Sequence, residues 1–198
     1  MKEETKRRGR LVLRPLVNLL VAGRVAPNTV TIAAVPLSIG AAVLIGVGQF
    51  IWGGVLVALV GLCDTLDGEV SRLSGRGTRG GAFLDSVVDR FSEAVVFAGL
   101  FWYYRTSTSW YGLLVIAAAI LSLLVSYVRA RAEGAGFECK VGWFERPIRV
   151  MVLLAGLFIL GRTWAPVAIG LIAFGSLVTV IHRLVHVLAQ AKETGRIS

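Results

Sequence analysis

Cysteine is nearly absent from this chain. The two copies, Cys63 and Cys139, show neither the paired spacing of a disulfide framework nor that of a cysteine-ligated metal. Cys63 lies in an apolar run and reads as a small packing residue. The polar, basic start does not have the form of a cleavable signal peptide, since the first long apolar run comes later. The net charge of +9 is not arranged as a basic stripe with interleaved aromatics, which argues against a nucleic-acid partner. Aspartate is scarce too. Asp64, Asp67, Asp85 and Asp89 are the whole complement, confined to one short window, and every other carboxylate is a glutamate.

What the chain does have is apolar length. With 56% hydrophobic residues and a mean hydropathy of +0.74, it is too apolar for a soluble domain of 198 residues. The composition points to an all-α integral membrane protein. Six apolar stretches approach the roughly 20 residues that a spanning helix needs. They run at about 30–47, 51–70, 81–103, 110–128, 148–160 and 164–184. Residues 71–80 and 129–146, polar and glycine-containing, read as loops. Residues 1–26 form a separate juxtamembrane segment, and 27–198 the six-span domain. In the first, Lys6, Arg7, Arg8, Arg10 and Arg14 mix with Leu11, Val12, Leu13, Leu16, Val17, Leu19 and Leu20. That pattern predicts an N-terminal interfacial amphipathic helix on an anionic membrane surface. Apart from Arg105 and Arg162, the lysines and arginines gather in or near the N-terminal segment, the two polar loops and the C-terminal end. The positive-inside rule then places both termini and the aspartate window on the cytoplasmic face of the cell membrane.

Carboxylates are costly at membrane depth and demand a counter-charge. Asp64 and Asp67 are three apart and Asp85 and Asp89 four apart, so each pair shares one face of its helix. Oxygen-only donors suit Mg2+ or Mn2+, and four carboxylates suffice for two bridged ions. Gly68, Gly80 and Gly81 permit close approach of backbone and ligand, and Arg72 is placed to pair with a carboxylate or a phosphate. A proton or ion pathway would use similar acids, so a small transporter remains an alternative, as does a non-catalytic scaffold.

The run Asp64-x2-Asp67-Gly68-x2-Ser71-Arg72-x8-Gly81-x3-Asp85-x3-Asp89 resembles the signature of the CDP-alcohol phosphotransferases, with Ser71 where the pattern has alanine. The resemblance extends over essentially the whole chain. It implies an enzyme that moves a phosphatidyl group from a CDP-linked lipid (CDP-diacylglycerol or CDP-archaeol) to an alcohol and releases CMP. It implies two metal ions, Mg2+ or Mn2+, on Asp64, Asp67, Asp85 and Asp89, with Asp89 also the general base. The implied CDP-lipid contacts are Pro27, Asn28, Thr31, Asp64, Asp67, Gly68, Ser71, Arg72, Gly81 and Asp85, and the implied assembly is a homodimer. The Pro27–Thr31 stretch also reads as a proline start with an Asn/Thr helix cap.

Arg129, Arg149 and Arg183 are cations at membrane depth that could converge on one anion, which suggests a phosphorylated acceptor. Two stretches, Ser126-Tyr127-Val128-Arg129-Ala130-Arg131-Ala132-Glu133 and Glu145-Arg146-Pro147-Ile148-Arg149, resemble those of the phosphatidylinositol phosphate synthases and their archaeal ether-lipid relatives. Arg129 stands where many of that group have lysine, and Ile148 where glutamate is common. The resemblance implies inositol phosphate bound near Ser126, Arg129, Arg146, Pro147, Arg149 and Arg183. Glycerol 3-phosphate is the rival acceptor.

Overall fold

The computed structural model describes residues 13–106 and 109–193. The described residues form helices and connecting turns only. After a short α1 (Leu13–Ala22) come α2 (Pro27–Gly46), α3 (Phe50–Ser74), α4 (Arg79–Tyr104) and α5 (Ser109–Gly134). Then α6 (Arg146–Ala155) runs into a π-helical turn (Gly156–Leu160), and α7 (Gly161–Glu193) closes the bundle.

Each expected apolar stretch coincides with a helix, the fifth being shared between α6 and the π turn, but several helices overrun the apolar limits. α3 continues through Ser71 and Arg72 to Ser74 and stops where Gly75 turns left-handed at φ 65°. α4 starts at Thr78, whose Oγ1 accepts the Gly81 N–H at 2.9 Å. The loop expected over 71–80 is therefore only 75–78. Likewise α5 runs on to Gly134, leaving 135–145 as the connection. That connection is not a surface loop: Cys139 and Phe144 are buried, and Gly142 (φ 95°) brings the backbone against Thr179 and Arg183. The expected Asn/Thr cap of α2 is not formed. Ala26 occupies the cap position without a side-chain hydrogen bond, and Pro27 alone starts the helix.

Four helices, α2, α3, α5 and α7, are long and apolar enough to cross a membrane. α4 is long enough but carries Asp85, Asp89, Arg90 and Glu93, and α6 has only 10 regular residues before its π turn. Val43, Trp52, Leu113, Leu171 and Phe174 are each more than half exposed, a surface that water would not tolerate and that lipid solvates. The chain is an integral membrane protein. In α1, Val17 is buried against Val30, Leu66 and Val70, while Leu16 and Leu19 face outward. This part of the expected amphipathic helix thus docks on the bundle along one face. Lys6, Arg7, Arg8, Arg10, Leu11 and Val12 lie outside the described residues.

α2 packs against both α3 and α4, α5 packs against α7, and α6 leans on α3 and α7. The main core (Ile45, Phe50, Leu100, Leu157, Ile169, Ile172) sits toward the end away from the aspartates. There Phe50, Tyr103, Tyr104 and Tyr111 stack edge to face, and Tyr104 Oη donates to the Arg162 carbonyl at 2.6 Å. Asp64 lies 14 residues along α3 from Phe50, about 21 Å of helix rise. The rigid aromatic end and the polar end are therefore well separated. Close packing of α2 on α4 depends on Gly99, where a Cβ would collide with the backbone of Ala42. Gly99→Ala is expected to cost about 1–3 kcal/mol of stability, read as a lower thermal midpoint in detergent. Gly80→Ala, whose added carbon meets nothing, should leave the midpoint unchanged.

Candidate active site

α3 and α4 are joined by a short turn at the polar end, and their acidic turns face each other there. α2 lies against both of them from one side. One carboxylate oxygen from each of Asp64, Asp67 and Asp85 lies within 4.8 Å of the others. Asp67 is buried, and its Oδ2 accepts the Thr31 hydroxyl at 2.6 Å from α2. Asp85 Oδ1 is buried without a hydrogen-bond partner. A convergent all-oxygen donor set with one buried oxygen unsatisfied fits a hard divalent cation. Asp89 stands beside this trio. Its Oδ2 is 2.7 Å from Arg146 Nη1, which also lies 3.1 Å from Asp64 Oδ2.

A cavity of about 180 Å³ opens on one side of the cluster. Pro27, Asn28, Thr31, Asp67, Gly68, Ser71, Gly81 and Asp85 line it, together with Arg76, Gly77, Thr78 and Ala82. Two of its glycines leave little room for a side chain: a Cβ on Gly81 would fall 2.8 Å from Asn28 Oδ1, and one on Gly77 would fall 2.6 Å from Ser71 Oγ. Of the residues expected here, Arg72 does not line the cavity. Its Nε donates to the Gly68 carbonyl at 3.2 Å and its Nη2 pairs with Glu69 at 3.1 Å, so the exposed head is spent on its own helix. Asp64 faces the other side.

That other side is a larger cavity of about 460 Å³, lined by Asp64, Asp89, Ser126, Arg129, Arg146, Pro147, Arg149 and Arg183 with Glu145, Arg90 and Thr65. All six residues expected around the acceptor line this one space. Two of them are anchored by internal partners. Arg149 is 2% exposed and forms a fork onto Glu93, Nε to Oε1 at 2.8 Å and Nη2 to Oε2 at 3.0 Å. Arg183, also 2% exposed, donates to the carbonyls of Val141 and Val125 at 2.9 and 2.6 Å. Arg129 pairs with Glu133 at 2.9 Å, and Glu145 Oε1 sits 3.4 Å from both Arg129 and Arg183. The N-terminus of α6 opens on this cavity and adds its favourable dipole for anions.

Some partners escaped the sequence reading. Glu93 lies one helical turn after Asp89, so the four-residue spacing that pairs Asp85 with Asp89 could have flagged it. Thr78 stands just before a predicted helix, a cap signal in plain view. The Arg146 pairing has no local signal, because it joins residues distant along the chain.

A sequence model of the CDP-alcohol phosphatidyltransferase family matches residues 24–188. The phosphatidylinositol phosphate synthase of Corynebacterium glutamicum is 37% identical over 182 residues, covering 88% of this chain and 83% of that protein. The enzyme of the same name from Mycobacteroides abscessus is 37% identical, covering 87% of this chain and 82% of its own length. A crystal structure of Mycobacterium tuberculosis phosphatidylinositol phosphate synthase with CDP-DAG bound superposes with a TM-score of 0.80 at 32% identity, covering 87% of this chain and 92% of that one. A second, in complex with manganese and citrate, gives 0.80 at 32% identity and covers 88% of each chain.

Two outcomes follow from the geometry. Thr31→Val removes the hydroxyl that orients Asp67 and should weaken Mn2+ binding about tenfold, measured by electron paramagnetic resonance on the purified protein. Glu93→Ala strands the buried Arg149 charge and should cost about 3–5 kcal/mol in detergent unfolding.

Proposed function

Because the chain belongs to the CDP-alcohol phosphatidyltransferase family, we propose that it transfers the phosphatidyl group of CDP-diacylglycerol to inositol phosphate, forming phosphatidylinositol phosphate and releasing CMP. One observation carries the reading: the aspartate cluster straddles two cavities, a small glycine-lined one and a larger arginine-lined one. Two substrates that must meet at one phosphorus need that layout. The names of the relatives, and the CDP-DAG and the manganese in the two crystal structures, support the same assignment.

Asp64, Asp67 and Asp85 would hold the divalent metal, with Mg2+ the expected ion and Asp89 the added ligand if a second ion binds. When bound, such a metal neutralises the diphosphate and stabilises charge developing on it. The glycines and Ser71 of the smaller cavity let the nucleotide approach the α3–α4 turn closely, while Asn28 and Thr31 enclose it from α2. In the larger cavity Arg129, Arg146 and Arg183 bind the acceptor phosphate, and the clamped Arg149 supplies fixed positive charge beside them. Asp89 takes the proton of the acceptor hydroxyl as its oxygen bonds to the lipid-bearing phosphorus. The bond from that phosphorus to the CMP oxygen breaks, and CMP leaves. In this reading α4 and α6 also span the bilayer, giving six spans in 27–198 after the juxtamembrane segment 1–26. Both termini and the site face the cytoplasm, and the protein works as a homodimer.

Purified protein with CDP-diacylglycerol and Mg2+ should release CMP when offered inositol phosphate, and not with free inositol or serine. CMP release with glycerol 3-phosphate alone would overturn the acceptor assignment, and an ion pathway would show no need for CDP-lipid at all. Asp89→Asn should lower kcat by about 100- to 10,000-fold; unchanged turnover would remove Asp89 as the base.

A further inference from the structure

Two adjacent residues at the start of α6 occupy positions where ligand charges belong. Arg146 Nη1 is a cation held between two carboxylates, 3.1 Å from Asp64 and 2.7 Å from Asp89. Glu145 Oε1 is an anion held between two guanidinium groups, 3.4 Å from Arg129 and 3.4 Å from Arg183. Glu145 is the N-cap residue of α6, yet its side chain makes no cap hydrogen bond and is turned to the arginines instead. Pro147 follows directly and stiffens this first turn, so one rigid segment carries both side chains.

We propose that Glu145 and Arg146 are a linked pair of stand-ins, the first for the acceptor phosphate and the second for a cation on Asp64 and Asp89, and that phosphate arrival releases both. This deepens the reading of the larger cavity given above and rests on it. A phosphate dianion competes for Arg129 and Arg183 with more charge and more acceptor oxygens than one Glu145 carboxylate. It also gives Arg146 a partner better than two shared carboxylate oxygens. Arg146 is suited to move. Its Nε is buried with no partner, whereas each nitrogen of Arg149 donates to an internal acceptor and two of Arg183 donate to backbone carbonyls. Once Arg146 leaves, Asp64 and Asp89 lose the ion-pair partner they share. They then favour a divalent cation, and Asp89 is free to accept a proton. Until then the base is masked, so water is not activated against the CDP-lipid. Linkage requires the effect to be reciprocal: phosphate and divalent cation each tighten the other's binding.

The test uses the purified full-length protein in detergent without CDP-lipid, with Mn2+ binding followed by electron paramagnetic resonance and inorganic phosphate or inositol phosphate as the probe. In the wild type, phosphate should tighten Mn2+ binding on the order of tenfold, as expected for coupled sites. In Arg146→Gln, Mn2+ should already bind tightly without phosphate, and the coupling should vanish. Absence of coupling in the wild type overturns the proposal. So does coupling that persists in Arg146→Gln, which would mean that phosphate contacts the metal directly. If Arg146→Gln does not fold, Glu145→Gln carries the test: it should bind phosphate more tightly than the wild type and keep the coupling, because Arg146 is intact, and unchanged phosphate affinity overturns the proposal. Because no CDP-lipid is present, this result stands apart from the transfer assay. A chain that releases no CMP with any acceptor fails the functional reading, whereas one that transfers but shows no coupling fails only this inference.

Discussion

An ionised side chain buried among apolar helices must find an opposite charge or a full set of hydrogen bonds, and the polar end of this bundle is organised around that requirement. Glu93 is forked by Arg149, Asp67 takes a hydroxyl from Thr31, and Asp64 and Asp89 share Arg146. Arg183 is quenched by two backbone carbonyls and approached by Glu145. Against that background the buried, unpartnered Asp85 Oδ1 stands out, since it lies in the one trio of convergent carboxylates found among the described residues. Charge pairing thus fixes where the helices can sit and leaves one oxygen open for a cation.

The same requirement explains the division of labour between the two cavities. The smaller owes its shape to residues without bulk: Gly77 and Gly81 stand where a methyl group would strike Ser71 or Asn28. The larger owes its character to arginines, of which Arg149 and Arg183 are held by internal partners. Charges fixed by the fold in advance need little reorganisation of their own, which is the usual source of electrostatic catalysis. The carboxylates sit between these two environments, and the aromatic cluster at the far end of α3 and α4 fixes the helices at their other ends.

Much of this was written in local sequence. Long apolar runs bounded by polar segments gave every long helix, and spacings of three and four put the aspartates on facing turns. The limits went astray where helices outlast their apolar stretches. At the end of α3 and of α5 the last turns carry Arg72 and Arg131, which suit a helix C-terminus and keep it intact beyond the apolar stretch. The inward course of 135–145 was hidden because Phe144 packs on Gly175, far along the chain. Arg72 illustrates a different limit. Spacing put it one turn from Gly68 and Glu69, and those neighbours, not the cavity, captured its guanidinium. Where an arginine meets an acid on another helix, as Arg146 and Arg149 do, tertiary packing decides the pairing and no periodicity encodes it.

The central claim is that the three convergent carboxylates are a metal centre between a donor cavity and an acceptor cavity. Crystals of the protein soaked in Mn2+ and measured at the manganese absorption edge would test it most directly. The account predicts an anomalous peak within coordination distance of Asp64, Asp67 and Asp85. Bound manganese elsewhere on the chain, with none at that trio, would contradict it.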